Sequence, residues 1–223
     1  MIGILLALQV NNWNEDRKSR VVERAYLVSL QEEFKSNLNK LENTMKRNAR
    51  NADNALELTK HTKPGTPSLS DEKAGKLIFG ALNGEVQYRP SSGVLEEIIS
   101  SGKLGIFRND SLRIALSSWS GLMLSARFQE QEHAHFRNEL MRIFNSRGNP
   151  RKAFIDAYGE LMELTTSRFD KMSNSLLSDF EFDTHLMGFV VTSRWLNSNY
   201  YTRLKNQINS ILEVIQIELG PSE

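Results

Sequence analysis

The sequence predicts an all-α fold, an antiparallel helical bundle of about four long and two short helices with a long N-terminal stalk helix. Three observations predict it. Apolar residues recur at steps of three and four over long stretches, which is the spacing of one helix face. Only five prolines and 13 glycines in 223 residues leave room for long helices, and the prolines fall at a few breaks. At those breaks Ser, Asn or Asp stands ahead of most apolar stretches, and Gly follows several of them, as helix caps do.

The first helix spans Arg20 to about Leu58, with one stripe at Leu27, Leu30, Phe34, Leu38, Leu41, Met45, Ala49, Ala52 and Leu56. It continues straight out of the apolar N-terminal run, and forty residues of helix reach about 60 Å. His61 to Leu69, with Pro64, Gly65 and Pro67, breaks it. Ser70 caps a short second helix to about Asn83, with Asp71 and Glu72 in its first turn and Leu77, Ile78 and Ala81 inward. Asn83-Gly84 marks a turn and Pro90 a break, with Gln87 to Arg89 read as extended. Ser91 or Ser92 then caps a short helix through Ser101, which a left-handed Gly102 ends. Leu104, Ile106 and Phe107 plug the core across the connection.

Asn109 caps the next long helix, to about Arg147, carrying Leu112, Leu116, Trp119, Leu122, Met123, Phe128, Phe136, Leu140 and Phe144. Gly148 ends it; Asn149 and Pro150 open another to about Met172, with Phe154, Ala157, Tyr158, Leu161 and Leu164 facing in. Leu176, Leu177 and Phe180 form a short turn under the bundle. Asp183 caps the final helix, to about Leu219, with Met187, Val190, Val191, Trp195, Tyr201, Leu204, Ile208, Ile211, Leu212 and Ile215, and Gly220-Pro221 stops it.

Composition narrows the function. A net charge of +1, from 28 basic and 27 acidic residues, argues against a nucleic-acid partner. With no cysteine, thiolate catalysis, disulfides and Cys-ligated zinc are excluded, and the chain suits an oxidising compartment. The start, MIGILLALQVNNWNEDRK, carries one polar side chain, Gln9, among its first ten residues. A bilayer core needs about 20 apolar residues, so ten do not span it. The run lacks the basic flank and cleavage site of a signal peptide. The plainer reading is a buried or frayed amphipathic start; the sharper one, taken here as the expectation, is the C-terminal half of a transmembrane helix over residues 1–14, with a single helical-bundle domain over 15–223. Ile2, Ile4, Leu5, Leu6, Leu8 and Val10 form the anchor, and Trp13 sits at headgroup level ahead of the charges.

IGILLALQVNNWNE resembles the signature of a family of bacterial single-pass membrane proteins known only as a domain of unknown function, at Ile2, Gly3, Ile4, Leu5, Ala7, Leu8, Gln9, Asn11, Asn12, Trp13, Asn14 and Glu15. LEEIISSGKLGIFRNDSLR resembles the same family at Leu95, Glu96, Ile99, Ser101, Gly102, Lys103, Leu104, Asn109, Leu112 and Arg113. The resemblance implies a membrane anchor and a helical domain, and no activity. It also implies that the first half of the membrane helix is missing, because Met1 stands where the middle of that helix should be.

One stretch suggests chemistry. In EQEHAHFRNE, Glu130 and His133 are three apart, as are Glu132 and His135, the carboxylate–imidazole spacing of di-metal bundles. The two pairs point about 200° apart on one helix, so one faces away. A solvated polar face with one semi-buried His is the plainer reading. No nucleophile elbow and no phosphate-cradling loop occurs. SSGKLG reads as a helix terminus and cap, or as the edge of a ligand pocket with Arg89 and Arg113. Trp195, Tyr200 and Tyr201, beside Asn197 and Asn199, are core or line a pocket or partner surface.

The expected function is a membrane-anchored helical interaction scaffold or sensor-type module without catalysis, cofactor or nucleic acid. It would bind the membrane through its N-terminal helix and meet a protein partner or a second copy. The alternative is a metal-binding helical-bundle enzyme built on Glu130, His133, Glu132 or His135. Arg17, Lys18, Arg20 and Arg24 pull the following domain towards the cytoplasm, and the empty cysteine count towards the periplasmic side of a bacterial inner membrane, which is the expected placement.

Overall fold

Three of the helix starts are set by the side chains expected to set them. Ser70 accepts from the Lys73 amide, Asn109 from Leu112 and Asn149 from Lys152. In the computed structural model these open α2 (Asp71–Leu82), α4 (Asp110–Arg147) and α5 (Pro150–Met162). The other elements are α1 (Ile2–Thr59), α3 (Gly93–Ser100), α6 (Phe180–Trp195) and α7 (Thr202–Leu219), with 3-10 turns at Lys103–Ile106 and Ser173–Ser178 and a π-helical segment at Leu196–Tyr201. Residues 2–163, 165, 166, 168, 169 and 171–220 are described, without the side chains of residues 2–8 and 160. Among them the fold is all-α with no strand.

The chain forms two compact units where the sequence suggests one bundle over 15–223. Unit 1 comprises residues 1–41, 89–123 and 203–223; unit 2 comprises 42–88 and 124–202.

In unit 1, Glu23 meets the Arg108 amide just ahead of α4, and eleven residues further along both segments Phe34 stacks edge-on against Trp119. The two helices therefore run parallel. Arg24 reaches the carbonyl of Leu219 and Gln31 meets Gln216, so α7 runs antiparallel to α1. The antiparallel expectation holds for the final helix and not for α4, because α2 and α3 carry the chain back before α4 begins.

Unit 2 is built on Ala55, Leu58, Ile78, Leu82, Leu140, Phe144, Leu176, Phe182, Leu186 and Phe189. The Phe136 ring lies over Gly188, where any Cβ would come within 2.2 Å of it, so only glycine permits that approach of α4 and α6.

The apolar stripe read from α1 is displaced in its later half. Along α1 the buried positions Glu23, Leu27, Leu30, Phe34, Asn37, Leu41, Asn48, Asn51, Ala55 and Leu58, with half-buried Thr44, follow a strict alternation of four- and three-residue steps, and Ala52, expected in the stripe, is buried beside Asn51. Leu38, Met45 and Leu56 flank this line half-buried, and Ala49 is exposed. Helix α4 follows the same rule through Leu112, Leu116, Trp119, Ala126, Glu130, His133, Leu140 and Phe144, with half-buried Met123 and Arg137 in step. A sustained repeat of 3.5 residues is the coiled-coil seam. The exposed residues of α4 include Phe128, expected inside and 63% exposed.

Other expectations also shift. Helix α5 ends at Met162, with Glu163 in the left-handed region at φ 51°, well before Met172. Among its described side chains Ala153 is the buried one, while Phe154, Ala157 and Leu161 are exposed; Leu164 lies outside the described residues. Phe180 is 86% exposed. The cap of α6 is Asp179, which accepts from the Phe182 amide, rather than Asp183. Met187, Val191 and Trp195 face outward, while Leu186, Phe189 and Ser193 take the inner line. That line runs Phe182, Leu186, Phe189, Ser193 and Leu196 and then skips to Tyr201, Leu204, Ile208, Ile211 and Ile215. One extra residue enters between Leu196 and Tyr201, and the π segment absorbs it.

Candidate functional site

In unit 1 the stretch LEEIISSGKLGIFRND is tied down by polar side chains of α1. Asn37 clamps Ser91 twice, Nδ2 donating to the carbonyl at 2.7 Å and Oδ1 accepting from the amide at 2.7 Å. The Glu33 carboxylate accepts from the amides of Val94 and Leu95 at 2.8 and 3.2 Å. It thus caps α3 from another helix, whereas Ser92, expected as the cap, donates to Glu96 instead. Gly102 adopts the left-handed conformation at φ 68°, and Lys103 donates to Tyr26, whose hydroxyl donates to Glu97. Glu23 accepts from the Arg108 amide and from Arg20.

Arg113 donates to the Phe107 carbonyl at 2.7 Å and pairs with Asp110, fixing the start of α4. Its guanidinium thus serves the local backbone and Asp110. Arg89, its suggested companion, is exposed.

Unit 2 contains a buried polar cluster around Glu130, which is 4% exposed. Its Oε1 accepts from the Tyr88 amide at 2.8 Å and from the Tyr201 hydroxyl at 2.7 Å, and its Oε2 from Arg127 at 2.6 Å. Burial pushes the hydroxyls of Tyr88 and Tyr201 far above the ordinary tyrosine range, and the Glu130 charge adds to the effect at Tyr201, so both stay protonated.

One turn further along α4, His133 is 1% exposed and stacks on Phe189 at 4.6 Å between ring centroids. Its Nδ1 lies 3.4 and 3.3 Å from the hydroxyls of Thr192 and Ser193, and its Nε2 has no hydrogen-bond partner. Burial, helped by the charge of Arg137, lowers its pKa to about 4, so the ring is neutral at pH 7. On the facing helices Asn48 donates to the Ser193 carbonyl and to Asn197, and Asn197 donates to the Met45 carbonyl.

The two Glu-x-x-His pairs therefore part. Glu130 and His133 point inward, while Glu132 and His135 are exposed. With three donors on its two oxygens, Glu130 acts as an acceptor that ties the 88–89 connection and the π segment to α4. Among the described residues no group of three or more His, Cys, Asp or Glu side chains could hold a metal ion.

Tyr201 is fully buried, Tyr200 half-buried and Trp195 57% exposed, so the three do not line one pocket. Of the cluster, Tyr88 escapes sequence reasoning because it stands in a Pro- and Gly-flanked connection. Asn37 and Asn48 escape it because a hydrophobic stripe omits asparagine. A strict four-three count from Glu23 would have found both.

Among the anchor residues, Val10 and Trp13 are 63% and 66% exposed on α1, and the side chains of Ile2, Ile4, Leu5, Leu6 and Leu8 lie outside the described residues. Among the described residues, no helix is long and apolar enough to cross a membrane.

No curated protein and no solved structure matches the chain. Residues 1–127 match a family of unknown function (DUF6090), a span that runs from α1 into α4 and stops short of Glu130 and His133. As that span is more than half of the 223 residues, the chain belongs to this family of unknown function.

Proposed function

We propose that the chain is a membrane-anchored helical module that acts by binding rather than by catalysis, holding a folded domain close to a bilayer. The observation that carries this reading is the exposure of α1 between Gln9 and Val22. The helix is continuous from Ile2, yet the first buried residue of its seam is Glu23. From Gln9 to Val22 only Asn14 is even half-buried. Twelve residues, 11–22, roughly 18 Å of helix, thus join the apolar run Met1–Val10 to the packed unit. Trp13 lies at the boundary between that run and the charged residues, the place of an interfacial aromatic.

An interaction role draws support from unit 2, where Met187, Val191 and Trp195 expose one apolar line on α6 at four-residue spacing, with Leu124 and Phe128 exposed on α4. A protein partner or a second copy would cover such residues. The absence of cysteine favours the periplasmic side of a bacterial inner membrane.

The test is fractionation of cells carrying the native gene with a C-terminal reporter. Recovery in the membrane fraction after a carbonate wash is expected, and a soluble product overturns the anchor. Protease added to spheroplasts should digest the domain; protection would reverse the placement.

A further inference from the structure

Asn83-Gly84 is the one Asn-Gly dipeptide in the sequence, and it stands in unit 2 at the end of α2. Asn83 is the C-cap, extended at φ −70° and ψ 122°, and Gly84 takes a positive φ of 82°. Both are exposed, and residues 85–90 after them have no regular structure. The Asn83 amide donates to the Phe79 carbonyl and closes the helix. Among the described residues the Gly84 amide donates to no backbone carbonyl. Two guanidiniums flank the pair. Arg137 Nε donates to the Leu82 carbonyl at 2.9 Å and Arg47 Nη1 to the Glu85 carbonyl at 3.2 Å. A Cβ on Gly84 would lie 3.9 Å from Cδ of Arg47. The Glu85 carboxylate, near enough to act on Arg137, offsets part of this positive charge. The Asn83 side chain donates to the Tyr158 hydroxyl at 3.0 Å.

We propose that Asn83 is a modification site, where the folded chain deamidates spontaneously to aspartate or isoaspartate. The Gly84 nitrogen gives up its proton to hydroxide or water and attacks Cγ of Asn83. The N–Cγ bond forms, the Cγ–Nδ2 bond breaks, and Nδ2 leaves as ammonia with the proton that the amide gave up. Water then opens the five-membered imide. Opening at Cγ gives aspartate, and opening at the backbone carbonyl gives isoaspartate. One water is consumed, one ammonia is released and nothing is oxidised. Three features favour the reaction here. Gly84 has no side chain to obstruct the approach and turns freely, so Asn83 can rotate about ψ from its extended value. The Gly84 amide breaks no bond to a backbone carbonyl when it moves. Arg47 and Arg137 set positive charge beside a nitrogen and a Cγ oxygen that turn negative during the attack. The product also has a partner, because the Tyr158 hydroxyl that accepts from the amide can donate to a carboxylate. The modification goes beyond the membrane and binding readings and depends on neither.

The experiment holds the purified full chain at a series of pH values in water enriched in heavy oxygen, then digests it in ordinary water for peptide mass spectrometry. Acid carrying the heavy oxygen should accumulate at Asn83 at least about tenfold faster than at any other asparagine, and faster as pH rises. Both aspartate and isoaspartate should form. Gly84→Ala should slow the reaction at least about fivefold, since a side chain resists the turn that glycine allows. Because alanine is strained at that φ and the variant may not fold, Arg47→Gln at an exposed position is the second variant. It should keep the wild-type circular dichroism and slow the reaction about threefold by removing one positive charge. Three results would each overturn the site: acid at Asn83 no faster than at the other asparagines, reaction in the urea-unfolded chain but not in the folded one, or an unchanged rate in the folded variants.

Discussion

Deleting Ser198 is expected to leave the fold standing, although it removes a residue from the π-helical segment between α6 and α7. The reason lies in the phase of the inner line. Up to Leu196 it advances by threes and fours; the next buried residue, Tyr201, is five away, and after it the threes and fours resume. Without Ser198 the step from Leu196 to Tyr201 becomes four, and the inner line is regular from Phe182 to Ile215. Ser198 is exposed and its hydroxyl donates only to the Arg194 carbonyl, so few contacts disappear with it. The expected loss is under about 2 kcal/mol, a fall in Tm of at most about 8 °C for a chain of this size. Deleting Asn206, equally exposed but in a regular stretch, turns Ile208, Ile211 and Ile215 about 100° off the inner line. At about 1.5–3 kcal/mol for each buried isoleucine, that forfeits roughly 5–9 kcal/mol, comparable with the whole stability of a domain. Urea unfolding followed at 222 nm measures both. If the Ser198 deletion is as damaging as the Asn206 deletion, the π segment is not an absorbed insertion and the argument fails.

Three further outcomes are expected. His133 is neutral in the fold with a pKa near 4 against 6.5 unfolded, so the unfolded chain binds the extra proton between those values and stability falls as pH drops from 6.5 to 4. The loss approaches about 3 kcal/mol, and His133→Leu should remove that part of the slope in urea midpoints measured from pH 7 to pH 4. Asn37→Ala strands the amide and carbonyl of Ser91 and should cost about 2–4 kcal/mol by chemical denaturation; a change below about 0.5 kcal/mol would remove the clamp from the account of unit 1. Removing residues 1–14 should move Tm by less than about 2 °C and make the purified protein more monomeric in light scattering, since Val10 and Trp13 touch no core; a large fall would make the segment a core element.

Helix starts were legible wherever a capping residue follows a Gly- or Pro-marked break, as at Ser70, Asn109 and Asn149. Asp179 was missed because Asp183 stands four residues on, next to the same apolar stretch, and both suit a first turn. The bundle's seams were half legible. Leu27, Leu30, Phe34 and Leu41 announce themselves by hydropathy, but Asn37, Asn48, Glu130 and His133 hold equivalent positions for reasons that hydropathy cannot register. Each is kept inside by a partner far along the chain. The parallel course of α1 and α4 has the same cause, since nothing local records that Glu23 will accept from Arg108. Tyr201 was read on the inner line, but the skip ahead of it was hidden because Trp195 was taken for the position that Leu196 holds. As for the candidate site, the sequence correctly separated the two Glu-x-x-His pairs by angle. It had no means of showing that Tyr88, Arg127 and Tyr201 would occupy the oxygens of Glu130.

The interleaving of segments has a consequence for synthesis. Unit 2 is complete once the ribosome has passed Thr202, whereas unit 1 still lacks residues 203–223 at that moment. Residues 23–41, the earliest-made part of the core of unit 1, wait longest for Leu204, Ile208, Ile211 and Ile215. The usual order, in which the N-terminal part of a nascent chain folds first, is reversed here. Until those residues arrive, Leu27, Leu30, Phe34 and Leu41 lack that cover, and translation stopped at Thr202 would release a product with one finished unit and one open one.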